Sequence, residues 1–225
     1  MVATLAVGGL LIGNFAGGKW SQVGDDLPEW RNLEFHEVKL GKLGEPLVIE
    51  EPVLEGISVM PVIGLPEGRH SAAFFSGSAP TFPRPITMPK TIPNELRLQI
   101  MRFLKGQKMK TKTVVWSTYI SGDFDGDKRT DALIKAQSWK TPGDTGIGEW
   151  SRIFLLQGGK PLRVIGWQDG NEEQLKPDVE LVALADFDRD GTYEAATLIW
   201  YLEGRAASLI NLGRTGPKVL VEKSS

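Results

Sequence analysis

Residues 123–131 read Asp-Phe-Asp-Gly-Asp-Lys-Arg-Thr-Asp, which places four carboxylates in nine positions. Sixty-three residues on, 186–194 read Asp-Phe-Asp-Arg-Asp-Gly-Thr-Tyr-Glu. Like charges held this close repel by roughly several kcal/mol per pair at an effective dielectric of ~20. Such a cluster is comfortable when spread in solvent or when wrapped around a cation. Each stretch follows an apolar run (VVWSTYIS, VELVALA) and precedes another (ALIKAQSW, AATLIWYL). β-Branched and aromatic residues dominate these flanks, so both segments read as strand–loop–strand. At the offset of 63, Asp123/Asp186, Phe124/Phe187, Asp125/Asp188, Asp127/Asp190 and Ala132/Ala195 are identical, and Asp131/Glu194 keep an acid. A unit recurring at fixed spacing is the mark of a repeat architecture.

The chemistry of the loops is that of a hard divalent cation. Calcium takes about six to eight oxygen ligands at roughly 2.3–2.6 Å in flexible geometry. Positions 1, 3, 5 and 9 of each loop offer carboxylates and position 7 a backbone carbonyl. The expected ligands are therefore Asp123, Asp125, Asp127, the Arg129 carbonyl and Asp131 in the first loop. In the second they are Asp186, Asp188, Asp190, the Thr192 carbonyl and Glu194. An EF-hand shares positions 1, 3 and 5 but needs an acid at position 12. Ile134 and Thr197 stand there, so the shorter, β-linked loop is the better reading.

DFDGDKRTDALI and ADFDRDGTYEAA resemble the FG-GAP/VCBS calcium-loop repeat found in integrin-α-like β-propeller blades. The resemblance covers about residues 114–138 and 180–203. It implies Ca2+ pinning a hairpin turn within a blade. The chain departs from the family pattern in four ways: Lys128 at the sixth position where glycine is usual, Arg189 at the fourth position of the second loop, glutamate as that loop's closing acid, and no preceding Phe-Gly-Gly-Ala-Pro-like signature. At 63 residues per unit, 225 residues hold fewer than four units, whereas propellers use about 4–8 blades. The expected fold is mainly β: antiparallel sheets with β-hairpin calcium loops, a partial or small propeller-like repeat, and one short helix.

Outward from the loops, the chain falls into three textures. Residues 1–68 read as short strands (10–15, 33–40, 46–50, 56–63) separated by glycine and proline. The opening MVATLAVGGLLIG reads as a buried strand, followed by a Gly17–Gly18 turn; it lacks a basic leader and is too short to span a bilayer. Residues 69–95 carry prolines at 80, 83, 85, 89 and 93 and read as a long connection; prolines bar a central strand from most of it. A helix is expected over 94–106, with Asn94 as cap, Leu96, Ile100, Phe103 and Leu104 on one face, and Gly106 as the stop. Residues 69–110 thus form a connection plus helix, and 111–225 the β repeat region.

With 26 basic and 28 acidic residues, the net charge of −2 leaves no footprint for nucleic acid. Absence of cysteine removes disulfides, zinc–thiolate sites and thiol nucleophiles together. Seven tryptophans are present; Trp20, Trp30, Trp139, Trp150 and Trp167 lie near turns, where some can line a carbohydrate or peptide surface. The functional expectation is a calcium-stabilised, non-catalytic β module for a protein or glycan ligand, extracellular or periplasmic, with no membrane span. Two alternatives stand beside it. One is a hydrolase with the calcium loops as scaffold and a site near His70, although no nucleophile elbow surrounds the nearby serines. The other is a structural subunit of a larger assembly.

Overall fold

Apolar runs of five to eight residues, broken by glycine turns, are too short for helices. Their backbone N–H and C=O groups find partners in sheets instead. The computed structural model describes residues 3–23, 34–48, 53–55, 60–62, 71–140, 147–170, 178–200 and 204–224. These form three antiparallel sheets and one helix, and no barrel closes among them. No helix among the described residues is long and apolar enough to cross a membrane. His70 and Trp30, with most of the strand expected over 56–63, lie outside the described residues.

The first sheet is built from β1 (Ala3–Val7), β2 (Leu10–Ala16), β3 (Lys19–Gln22), β4 (Glu34–Lys39), β5 (Lys42–Val48), β6 (Val53–Glu55), β7 (Met60–Val62) and β8 (Ala73–Ser76). Its order is β5-β4-β8-β1-β2-β7-β6, with β3 beside β2. The opening is not one strand but a hairpin: Val7 pairs with Leu10 across Gly8 and Gly9, whose φ values are 56° and 84°. Two consecutive left-handed positions are what a tight hairpin of this type demands, and glycine supplies them without steric cost. The connection expected over 69–95 also gives up a strand. Ala-Phe-Phe-Ser at 73–76 precedes the first proline, and β8 lies fully buried between β1 and β4.

The second sheet has the order β13-β12-β11-β10-β9, from β9 (Ile86–Thr87), β10 (Val115–Gly122), β11 (Asp131–Gln137), β12 (Trp150–Leu156) and β13 (Arg163–Asp169). Helix α1 (Asn94–Gly106) buries Ile100 and Leu104 against Ala132, Ile134, Ala136, Trp150 and Phe154, with Leu96 and Phe103 packed beside them. Two details of the helix ends differ from expectation. Asn94 makes no side-chain cap; the Arg97 N–H instead reaches the Pro93 carbonyl at 3.2 Å. Termination falls to Lys108 at φ 56°, with Met109 N–H on Leu104 O and Lys108 N–H on Lys105 O, both 3.0 Å. That paired closure is a Schellman motif.

The third sheet is β14 (Val179–Ala185), β15 (Glu194–Trp200), β16 (Arg205–Asn211) and β17 (Lys218–Ser224), paired in that order. β10–β13 and β14–β17 are thus each a consecutive meander, with an acidic loop between the first strand and the second. The chain divides into two units, Met1–Pro83 with Leu181–Leu198 and Gly204–Ser225, and Arg84–Glu180 with Ile199–Glu203. The first acidic loop belongs to the latter unit and the second to the former. Within the former, β17 packs on β2 and β3: a side-chain carbon on Gly13 would come within 2.8 Å of Val221. Gln22 donates to the Glu222 carbonyl at 2.5 Å across the same contact.

Candidate metal centres

Each acidic loop is drawn tight by its own side chains accepting from its own backbone. The closing acid accepts from the residue after the first aspartate: Phe124 N–H on Asp131 Oδ2 at 2.9 Å, and Phe187 N–H on Glu194 Oε2 at 2.8 Å. Asp127 N–H reaches Asp125 Oδ1 at 3.0 Å, and Asp190 N–H reaches Asp188 Oδ1 at 3.1 Å. Lys128 and Gly191 donate to Asp123 Oδ2 and Asp186 Oδ2, both at 3.1 Å. Arg129 and Thr192 donate to Asp127 Oδ1 and Asp190 Oδ1 at 2.8 and 2.6 Å. Phe124 and Phe187 are buried beneath their loops and anchor them to the cores.

The exchanged positions of glycine in the two loops have a backbone explanation. Both loops need a left-handed residue at the fourth position and another at the sixth. The first uses Gly126 (φ 74°) then Lys128 (φ 70°); the second uses Arg189 (φ 64°) then Gly191 (φ 87°). Each loop therefore carries one glycine and one residue paying about 1–2 kcal/mol of steric strain, in opposite order.

Carboxylates converge in both, though not the same ones. One oxygen from each of Asp123, Asp125 and Asp127 lies within 4.8 Å of the other two, and likewise for Asp186, Asp188 and Glu194. Each of these two groups can hold a metal ion. Asp131 lies outside its convergent group: its oxygens accept from Phe124 N–H and, at 3.0 Å, from Gly158 N–H. Asp190 is exposed at the rim of the second loop. Glutamate is one methylene longer than aspartate, and Glu194 reaches the convergent group while still holding Phe187.

The electrostatic settings differ as well. In the first loop, Lys160 pairs with Asp125 Oδ2, Gln157 Nε2 donates to the same oxygen at 3.2 Å, and Arg84 Nε lies 3.5 Å from Asp123 Oδ2. Burial raises the Asp131 carboxyl above its usual range, partly offset by its backbone bonds. In the second loop, Thr81 Oγ1 donates to Asp186 Oδ2 at 2.9 Å and Asn211 Nδ2 to Glu194 Oε1 at 2.9 Å. Both donors are neutral. Burial, then the charge of Asp188, pushes the Glu194 carboxyl up to about 9, and burial raises Asp188 too. Asp186 is 2% exposed, and its Oδ1 is shut from solvent without a hydrogen-bond donor among the described residues.

A second feature lies in the unit holding the first loop. The end of α1, β12 and β13 enclose a groove of 630 Å³ lined by Phe103, Lys110, Glu149, Arg152, Trp167 and Asp169 among others. Trp167 is 60% exposed on β13, with the Arg152 guanidinium over its ring at 5.4 Å. Lys110–Glu149 (2.8 Å) and Arg152–Asp169 (2.5 Å) pair the groove's charges. Trp150, by contrast, is a core residue whose Nε1–H donates to the Lys110 carbonyl at 2.8 Å. Compared with protein-family models, curated proteins and solved structures, the chain finds no match.

Proposed function

We propose that this chain is a calcium-organised, non-catalytic β module whose acidic hairpins are of the FG-GAP/VCBS type. The observation that carries the reading is Asp186 Oδ1. A buried acceptor without a donor costs about 1–3 kcal/mol, more when charged. A cation held between Asp186, Asp188 and Glu194 would remove that cost and offset the repulsion among them. Oxygen-only donors favour a hard ion. A flexible carboxylate cage suits calcium better than magnesium, which demands near-octahedral geometry and keeps several waters.

The module's task, in this reading, is to present a surface for a protein or glycan outside the cytoplasm, where calcium is abundant enough for sites of ~10⁻⁴–10⁻³ M affinity. Support for a ligand comes from the groove beside Trp167. An open aromatic face flanked by charges that neutralise one another suits a neutral, hydroxyl-rich partner, and a pocket with a few convergent polar groups is the usual form of a small-ligand site.

Thermal melting with and without chelator, alongside calcium titration calorimetry, tests the ion. Melting should fall on chelation and recover with calcium but not with equimolar magnesium. A melting point indifferent to all three sinks the reading. Glycan-array binding by the wild type and by Trp167→Ala tests the surface; the variant should lose binding while melting unchanged.

A further inference from the structure

The two loops share a pattern and a hydrogen-bond skeleton, yet they dispose of their negative charge in different ways. The turn after β12 closes with Lys160 N–H on Gln157 O at 2.9 Å and sits directly against the first loop. From that turn come three contacts: Gln157 Nε2 and Lys160 Nζ on Asp125 Oδ2, and Gly158 N–H on Asp131 Oδ1. Asp125 is 4% exposed, so its partner ammonium is screened little by water. Arg84 adds a second cation, donating to the carbonyls of Asp123 and Phe124 at 2.6 and 3.1 Å.

Among the described residues, the second loop has no such neighbour: none of the ion pairs involves Asp186, Asp188, Asp190 or Glu194. Arg189, within the loop, turns away and donates to the Ala79 carbonyl from Nε and Nη2 at 3.2 and 2.6 Å. The donorless oxygen of Asp186 is in this loop; the first loop's acids have no counterpart to it among the described residues.

We propose that the loops are unequal cation sites: Lys160 serves the first as a built-in monovalent counter-ion, and only the second requires a divalent ion of the calcium type. This rests on the calcium reading above and sharpens it. An ion entering the first loop must displace the Lys160 ammonium from Asp125 and remain close to both Lys160 and Arg84, and that repulsion lowers its affinity. Filling the second loop displaces no charged partner among the described residues.

The test is calorimetric titration of the chelator-stripped full chain with calcium chloride. The wild type should take up one ion, Asp188→Asn should lose it, and Asp127→Asn should keep it. Lys160→Met, with Lys160→Gln as a second variant should the first fold poorly, should gain a second ion or raise first-loop affinity at least about tenfold. Two ions of equal affinity in the wild type overturn the proposal while leaving the calcium reading intact. So does loss of the single ion in Asp127→Asn, or a folded Lys160 variant that still binds one. If neither the wild type nor a folded Lys160 variant binds calcium, the calcium reading falls and takes this proposal with it.

Discussion

Set side by side, the acidic hairpins at 123–131 and 186–194 are nearly the same object seen from within. Four backbone-to-carboxylate bonds recur at equivalent positions. From outside they differ at almost every contact. One is flanked by Arg84, Gln157 and Lys160; the other by the neutral side chains of Thr81 and Asn211. The nine-residue pattern dictates the course of the chain. Residues distant in sequence then set how much of each loop's negative charge is balanced by the protein itself.

Perturbing the closing acids should break this comparison most forcefully. Asp131→Ala and Glu194→Ala each strand two donors, Phe124 and Gly158 N–H or Phe187 N–H and Asn211 Nδ2. Each should lose about 3 kcal/mol in denaturant unfolding. Only Glu194→Ala should also abolish the stabilisation conferred by calcium. Next in size is ion removal itself: at calcium a hundredfold above its dissociation constant, chelation should cost about 2.7 kcal/mol. The loss should be unchanged in Asp127→Asn and absent in Asp188→Asn.

A pH series sharpens the contrast further. With chelator present, folded Glu194 keeps its proton up to about 9, whereas the unfolded side chain releases it near 4.5. The stabilisation from that proton is complete below the lower value and fades as pH climbs through the window. Melting of the ion-free protein should therefore fall across it, by up to ~1.4 kcal/mol per pH unit for one proton. Glu194→Gln, which mimics the protonated acid, should flatten the decline. Calcium competes with the same proton, so its apparent affinity should rise with pH.

The smallest expected effect concerns strain. Lys128→Gly relieves a left-handed side-chain-bearing residue and should stabilise by about 1 kcal/mol, less the extra freedom glycine has when unfolded. Arg189→Gly should gain less, since it also forfeits two bonds to Ala79. Both follow from paired melts at fixed calcium.

Much of this architecture was legible in the chain. The apolar, β-branched runs on either side of each acidic loop locate β10, β11, β14 and β15 to within a few residues, because each is long and bounded by glycine or charge. The helix at 94–106 is legible for the same reason. Two N-terminal features were harder to read. β1 and β2 merge into one apolar run unless Gly8–Gly9 is taken as a turn, and β8 is four residues long in a segment whose prolines draw the eye. The left-handed demands at both the fourth and sixth loop positions could be guessed from the exchanged glycines. Lys160 could not be: it stands 35 residues from Asp125, in a turn whose sequence, Gln-Gly-Gly-Lys, looks like an ordinary solvent-facing bend.

Arg189 is exposed at the tip of the second hairpin, as Lys128 and Arg129 are at the tip of the first. All three are cleavage points for a trypsin-like protease. If the ion is what keeps the second tip folded, then draining it opens the backbone at Arg189 while Lys160 still guards the other. Under limited trypsin digestion, chelation should then speed cutting at Arg189 more than at Lys128 or Arg129.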